Sequence, residues 1–387
     1  MNITKLLTWM VPTTLAIAIG VTGCKDYGNT QYYSNDKIGL LNEYLQTGYL
    51  YDLQEVTNEQ MSDSIYKNFV GVLDNPGTYY LNEEELTRLQ VMNEGNYLGT
   101  GLELAWEPSG KSIIVTGIIE GSMASSSGVK VGDYVTSIDG IKVTGANQQQ
   151  IMEKIVYTGN EVMEYTIKEK DTNIQKDIEL TASEVKVLDI VSELKDGIGY
   201  IEVKSIRNGT SDNIGTTIDE FNKNGAKGLI LDLRGTHTDN LDEVAKISDL
   251  FLETGIAFKS IGKENKVEEF EMTTGAYDKQ VVIITNGYTA AGAEALVSAL
   301  KDICIHVGAD TNGLIYASEI IELGDGTGLS VATKIICDKA GNEINEKGIK
   351  PDEVIFITEK EKIQIIENGT IGDENDSFIK AAINKFK

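Results

Sequence analysis

The run Gly228-Leu229-Ile230-Leu231-Asp232-Leu233-Arg234 constrains this chain more than any other. Its apolar residues do not alternate with polar ones, so both faces of the strand they form must be covered. Such a strand belongs inside a layered α/β domain, where helices carry the chain between parallel neighbours. The flanking sequence supplies those helices. Ile214, Ile218 and Phe221 mark one that stops at Gly225. Leu241, Val244, Ile247 and Phe251 mark a second ending near Gly255, and Ala293, Val297 and Leu300 a third. Ile198–Val203 and Val281–Thr285 read as further strands, and Ser377–Phe386 as a closing helix. Residues 184–387 are expected to form this domain.

Upstream, residues 37–95 carry helical periodicity at Ile38, Leu41 and Leu45, and again at Met61, Ile65, Phe69 and Leu73. Asp74-Asn75-Pro76-Gly77 breaks it as a turn, and Asn82-Glu83-Glu84-Glu85 starts another helix with acids at its positive end. At the start, Lys5 precedes an apolar stretch from Leu6 to Gly20 and then Val21-Thr22-Gly23-Cys24. This order reads as a secretory leader over residues 1–23. Its last four residues resemble a bacterial lipobox, in which Cys24 is lipidated and becomes the mature N-terminus. The competing reading is an uncleaved membrane anchor, against which stand the short run, Pro12 and several threonines. Residues 24–36, polar and without period, read as a flexible tether. The expected location is the extracytoplasmic face of a bacterial cell membrane, held by a lipid.

Charge narrows the partners. Lys+Arg number 34 against 60 Asp+Glu, for a formal charge of -26. Such a surface repels nucleic acid and anionic headgroups, so no nucleic-acid partner is expected and an acyl chain must hold the protein to a membrane. Two histidines, His237 and His306, and three cysteines, Cys24, Cys304 and Cys337, form no ligand spacing for zinc and no disulfide framework. Cys304 and Cys337 lie in isoleucine-rich runs and read as buried strand thiols. No motif implies a metal or an organic cofactor.

Residues 96–183 change character to short strands and turns. Leu98-Gly99-Thr100-Gly101-Leu102 is followed by a strand at Ser112–Thr116, by Gly121-Ser122-Met123-Ala124-Ser125 and by Gly128-Val129-Lys130-Val131-Gly132-Asp133. Ile138-Asp139-Gly140-Ile141 is a hairpin signal, and Gln148–Val156 a short helix. In this order the features resemble a PDZ domain. The resemblance implies an extended peptide added along a sheet edge, its C-terminal carboxylate held by N–H groups around Thr100, Gly101 and Leu102. Leu102, Leu104, Ile151 and Ile155 would line the pocket, with some of them also serving the core. Unstructured peptides or protein C-termini are the implied partners.

Over nearly all of the chain beyond the leader, the pieces resemble the C-terminal processing (tail-specific) peptidase family. The matching runs are Leu229–Arg234, Asp242 with Ile247–Phe251, Leu323-Gly324-Asp325-Gly326 and Gly348-Ile349-Lys350-Pro351-Asp352. The implied fold class is α/β: a helical N-terminal region, a PDZ-like β-rich domain and an α/β peptidase-like core. Members cut peptides with a Ser–Lys dyad, which needs a hydroxyl nucleophile, a lysine base and N–H donors for the oxyanion. Anchored on Glu294, the family's serine falls on Ala291 in Gly287-Tyr288-Thr289-Ala290-Ala291-Gly292-Ala293-Glu294. Leu314 stands for the lysine and Ser318 for its supporting glutamine. The oxyanion loop reads Gly235-Thr236-His237-Thr238-Asp239, with Thr238 and Asp239 where the family has paired glycines.

These departures imply a pseudopeptidase that binds peptides without cutting them. The alternative is an active serine-type endopeptidase with a non-consensus site, for which Thr289 and His237 are the nearest candidates. A third reading is a structural partner of an active paralogous peptidase. If the alignment is right, Ala291, Leu314 and Thr238 converge on one cleft.

Overall fold

The computed structural model describes residues 38–41, 45, 58–107, 110–155, 162–273, 275, 277–344, 347–357, 361 and 376–387. The leader, Cys24 and the polar tether lie outside these. Among the described residues, no helix is long and apolar enough to cross a membrane. Residues 62–387 form one compact unit; in the other, 1–61, residues 38–41 are helical.

Helix α1 (Asn58–Gly71), strand β1 (Tyr79–Leu81) and helix α2 (Glu83–Asn93) come first. A reciprocal cap starts α2: Asn82 Oδ1 accepts from the Glu85 N–H at 2.9 Å, and Glu85 Oε2 from the Asn82 N–H at 3.0 Å. The β-rich domain follows, with β2 (Asn96–Gly99), β3 (Leu102–Trp106), β4 (Ile113–Ile118), the short α3 (Met123–Ser126) and β5 (Tyr134–Ile138). It continues through β6 (Ile141–Lys142), α4 (Gln148–Ile155), β7 (Val162–Lys168) and β8 (Gln175–Thr181) to β9 (Ser183–Lys186). Its main sheet runs β3-β4-β5-β7-β8, with β6 on β5, while β2 pairs with β9 outside it. Ile113, Val115, Val135, Ile138, Tyr165 and Ile167 fill the core beneath.

The last domain opens with β10 (Ile190–Lys195), β11 (Ile198–Val203), α5 (Thr210–Lys223), β12 (Gly228–Asp232), β13 (His237–Thr238) and α6 (Leu241–Asp249). Next come β14 (Gly255–Gly262), β15 (Val267–Met272), β16 (Gln280–Thr285), β17 (Ala290–Ala291), α7 (Gly292–Leu300) and β18 (Ile305–Gly308). Then follow β19 (Tyr316–Glu322), β20 (Gly328–Asp338), β21 (Glu353–Val354) and α8 (Ser377–Asn384). One sheet has the order β10-β11-β12-β16-β18-β21, parallel except for β10. Every residue of β12 is buried. Leu229 and Leu231 pack into the cluster of α5, α6 and α7. Ile230 turns to the other face, where Phe378 and Ile379 of α8 meet it with Val282 and Ile284. This period of two is what a strand sandwiched between helices requires, and each such side chain contributes about 1.5–3 kcal/mol. Arg234 closes the strand: Nη2 lies 2.6 Å from Asp232 Oδ2 and Nη1 2.6 Å from Asp376 Oδ2.

A second, antiparallel sheet runs β1-β20-β14-β15, with β19 on β20. The helical reading of 37–95 missed β1, whose Tyr79–Leu81 pair with Gly328–Ser330. The periodic face of α1 departs from expectation too: Phe69 and, beyond the helix, Leu73 are 61% and 65% exposed. Tyr66, itself half exposed, sets its ring 5.2 Å from that of Tyr80. Cys337 lies in β20 as expected, but Cys304 sits in the turn before β18. Both are buried free thiols, and burial pushes Cys304 up to about 12.

Candidate functional site

Three loops leave the carboxyl ends of adjacent parallel strands: 233–238 after β12, 286–291 after β16 and 309–315 after β18. Such ends are where open α/β sheets place their ligands. These loops hold the three runs in which the sequence departs from a Ser–Lys site, and sheet order brings them side by side.

Ala291 stands at the turn from β17 into α7 with φ 52° and ψ −120°. A non-glycine residue there bears about 1–3 kcal/mol of backbone strain, kept only where the surroundings enforce it. The sharp strand-to-helix turn is the geometry that presents a serine oxygen in other hydrolases. Here it presents a methyl group that is fully buried.

Two contacts enforce the turn. Glu294 Oε2 accepts from the Ala291 N–H at 3.1 Å. The other oxygen, Oε1, accepts from the Gly313 N–H at 2.8 Å and from Thr311 Oγ1 at 2.5 Å. One buried carboxylate therefore fastens the nucleophile position to the loop carrying Leu314. Burial pushes its pKa up, against the pull of Thr311 and the backbone donors of Gly313, Ala291 and Leu314. Leu314 itself packs against the core cluster that contains Ala291.

The second contact is β13. His237 and Thr238 pair in parallel with Ala290 and Ala291, and Thr236 O accepts from the Ala290 N–H at 3.0 Å. A Cβ on Gly292 would stand 2.7 Å from the Thr238 methyl and 2.8 Å from its carbonyl oxygen, so only glycine fits. The Thr238 carbonyl oxygen and methyl thus occupy the space beside Gly292. Thr238 is fixed by donating Oγ1 to Ile206 O at 2.9 Å. Asp239 Oδ1 accepts from the Ser318 N–H at 2.9 Å, while Ser318 Oγ donates to Gly77 O at 2.9 Å. Ala291, Leu314, Thr238 and, through Asp239, Ser318 are all held in one connected region.

Other nucleophiles and bases nearby are engaged elsewhere or turned to the surface. Thr289 is fully buried, and its Oγ1 donates to Leu233 O at 2.8 Å. His237 is exposed. His306 is buried with Nε2 2.7 Å from Thr285 Oγ1, and burial pulls its pKa down to about 4. Ser318 and Lys334 line a common cavity of about 110 Å³ with Asp239, but Lys334 Nζ is bound to Glu268 at 2.7 Å. Ser298 lies seven residues into α7 from Ala291, about 10 Å along the helix. Among the described residues no cluster of His, Cys, Asp or Glu is fit to hold a metal.

In the β-rich domain the six expected peptide contacts divide. Leu102 and Ile151 are core residues, 5% and 0% exposed, which corrects their assignment to an open pocket. Strand period tells inside from outside, but an apolar side chain suits either a groove or a core. Leu104 and Ile155 are half-buried at the rim of that core. Thr100 is buried, 1% exposed. Gly101 turns the chain at φ 89°, where a side chain would be strained.

Residues 197–355 match the model of Peptidase family S41, and residues 89–164 that of the PDZ domain. The chain is similar to a probable CtpA-like serine protease of Staphylococcus aureus (strain COL), 25% identical over 330 residues, covering 83% of this chain and 66% of that one. A protein of the same description from Staphylococcus haemolyticus (strain JCSC1435) is 24% identical over 334 residues. The chain thus spans 66% of the length of these curated relatives. Its fold is similar to that of the photosystem II D1 C-terminal processing protease, with TM-score 0.51 and 20% identity over 86% of this chain and 91% of that one. It is also similar to a putative S41 protease from Bacteroides fragilis NCTC 9343, with TM-score 0.59 and 14% identity over 92% and 98%.

Proposed function

The chain belongs to the C-terminal processing peptidase family, and we propose that it is a non-catalytic, lipid-anchored member that binds extended peptides. The observation that carries this reading is the turn at Ala291, which keeps a nucleophile's geometry without its oxygen. Leu314 has no nitrogen to act as base, and the Thr238 carbonyl lies against Gly292. Thr289, which an active site would require instead, spends its hydroxyl on a backbone carbonyl. Peptides would add to the outer edge of β3, which pairs on one side only among the described residues. In this role the protein holds unfolded segments or protein C-termini beside a membrane, alone or for an active paralogous peptidase.

A fluorophosphonate probe tests the first half of the proposal. No labelling of the folded protein is expected, since the reagent needs an activated oxygen nucleophile. Stoichiometric labelling lost in Thr289→Ala would instead establish an active enzyme with a non-consensus site.

The anchor makes a separate prediction. Cys24→Ala is expected to release the protein from membranes in soluble form or to stall its processing, because a protein of charge -26 has no electrostatic attraction to an anionic surface to replace the acyl chain. Membrane retention with an intact N-terminus would reveal an uncleaved anchor.

A further inference from the structure

A cavity of about 310 Å³ lies between the last turn of α7, the turn that follows β20 and the loop before β21. Its walls are set firmly. The loop carries Gly348, where a Cβ would stand 2.1 Å from Thr311 O, so only glycine lets the two segments meet. Ile349 is paired twice with the same residue: its N–H donates to Thr311 Oγ1 at 2.7 Å, and its carbonyl accepts from the Thr311 N–H at 3.1 Å. Asp338 Oδ1 fixes the turn opposite by accepting from the Ala340 and Asn342 N–H groups, each at 2.9 Å. Such a cavity is pre-formed, and its size falls within the range of small-molecule sites.

The polar groups at the cavity are unspent. Ser298 lines it from α7 and is 8% exposed, yet its hydroxyl has no hydrogen-bond partner among the described residues. A helical serine can give its proton to the carbonyl four residues back, and a hydroxyl so buried is ordinarily paired. Lys301, at the end of α7, and Lys350 bring two ammonium groups, neither in an ion pair among the described residues. On a chain of charge -26, two such lysines beside one cavity favour an anion there. Of the two acids at the cavity, Asp338 is taken up by its own turn, which leaves Glu343 against the two cations. Ile344, 5% exposed, and half-buried Ile349 make the apolar part of the wall.

We propose that this cavity binds a small organic carboxylate, its oxygens among Lys301, Lys350 and the Ser298 hydroxyl and a short aliphatic body against Ile344 and Ile349. An inorganic anion would leave the isoleucines uncovered, and an ammonium ligand would be repelled by both lysines.

The test titrates hexanoate, hexylamine and inorganic phosphate onto the full chain at low salt, with binding followed by ligand-observed NMR. Hexanoate is expected to bind, and hexylamine at least about tenfold more weakly. Lys301→Gln together with Lys350→Gln should erase that difference, and because both residues are exposed the fold should not suffer. Ser298→Ala should weaken hexanoate about fivefold, the value of one hydrogen bond. Without ligand the same variant should resist urea at least as well as wild type, because no hydrogen bond is lost with the hydroxyl. A less stable Ser298→Ala protein would show that the hydroxyl is already paired and would overturn its role. Equal binding of hexanoate and hexylamine, or hexanoate binding unmoved by the double substitution, would overturn the carboxylate assignment. Phosphate binding as tight as that of hexanoate would overturn the aliphatic part of the proposal. Absence of hexanoate binding up to about 10 mM would overturn the site itself.

Discussion

Wild-type protein incubated overnight with casein is expected to leave it intact, and so is the variant carrying both Ala291→Ser and Leu314→Lys. Loss of the nucleophile alone costs a serine peptidase about a millionfold in turnover, which puts wild type below detection. The double variant regains oxygen and nitrogen, and at position 291 it inherits the strained turn ready-made, with φ 52°. It still lacks an oxyanion site. Thr238 remains paired with Ala291, its carbonyl against Gly292, and Asp239 is clasped across to the Ser318 N–H. Adding Thr238→Gly and Asp239→Gly removes the Oγ1 tether to Ile206 and the clasp to Ser318, freeing the loop to turn its N–H groups inward. Each donor recovered is worth about 10²–10³ in rate, so the quadruple variant should cut at least about a hundredfold faster than the double. Wild-type cleavage of casein abolished by Thr289→Ala would sink the pseudopeptidase reading.

What the sequence reveals and conceals here follows from the range of the forces involved. The strand Gly228–Asp232 was readable because burial on both faces leaves a local signature, an unbroken apolar run. The departures at Ala291 and Leu314 were readable because side-chain chemistry is printed in the sequence. The strand β1 was not: three residues cannot show a period, and its partner lies in β20. Leu102 and Ile151 were assigned to a groove because apolarity does not say whether water or protein lies opposite. The threonine at 238 was legible as a missing glycine, but its effect, a carbonyl set against Gly292, depends on a parallel pairing between segments some fifty residues apart. Glu294 served only to align the turn, and its bond to Thr311 has no sequence signal at all.

Replacing that glutamate is expected to give the largest stability loss in the domain's site region. In Glu294→Ala the Ala291 and Gly313 N–H groups and the Thr311 hydroxyl lose their acceptor together, in a region where Glu294 is 1% exposed. Each buried donor left without an acceptor costs about 1–3 kcal/mol, so a loss of at least about 3 kcal/mol is expected. Glu294→Gln keeps one acceptor oxygen and should lose about 1–2 kcal/mol, roughly one hydrogen bond. The pH dependence has a definite sign. Burial raises the folded pKa of Glu294 above its unfolded value, against the pull of its donors. The folded state therefore binds the proton more readily, and this group's contribution is full below the unfolded pKa and declines as pH rises through the folded one. Urea denaturation at pH 5 and pH 7 should then show a gap between wild type and Glu294→Ala that narrows at the higher pH. A variant within about 1 kcal/mol of wild type at both values would mean that the strained turn at Ala291 is held by β13 alone. In that case the retained geometry of the site would owe nothing to the carboxylate that joins its loops.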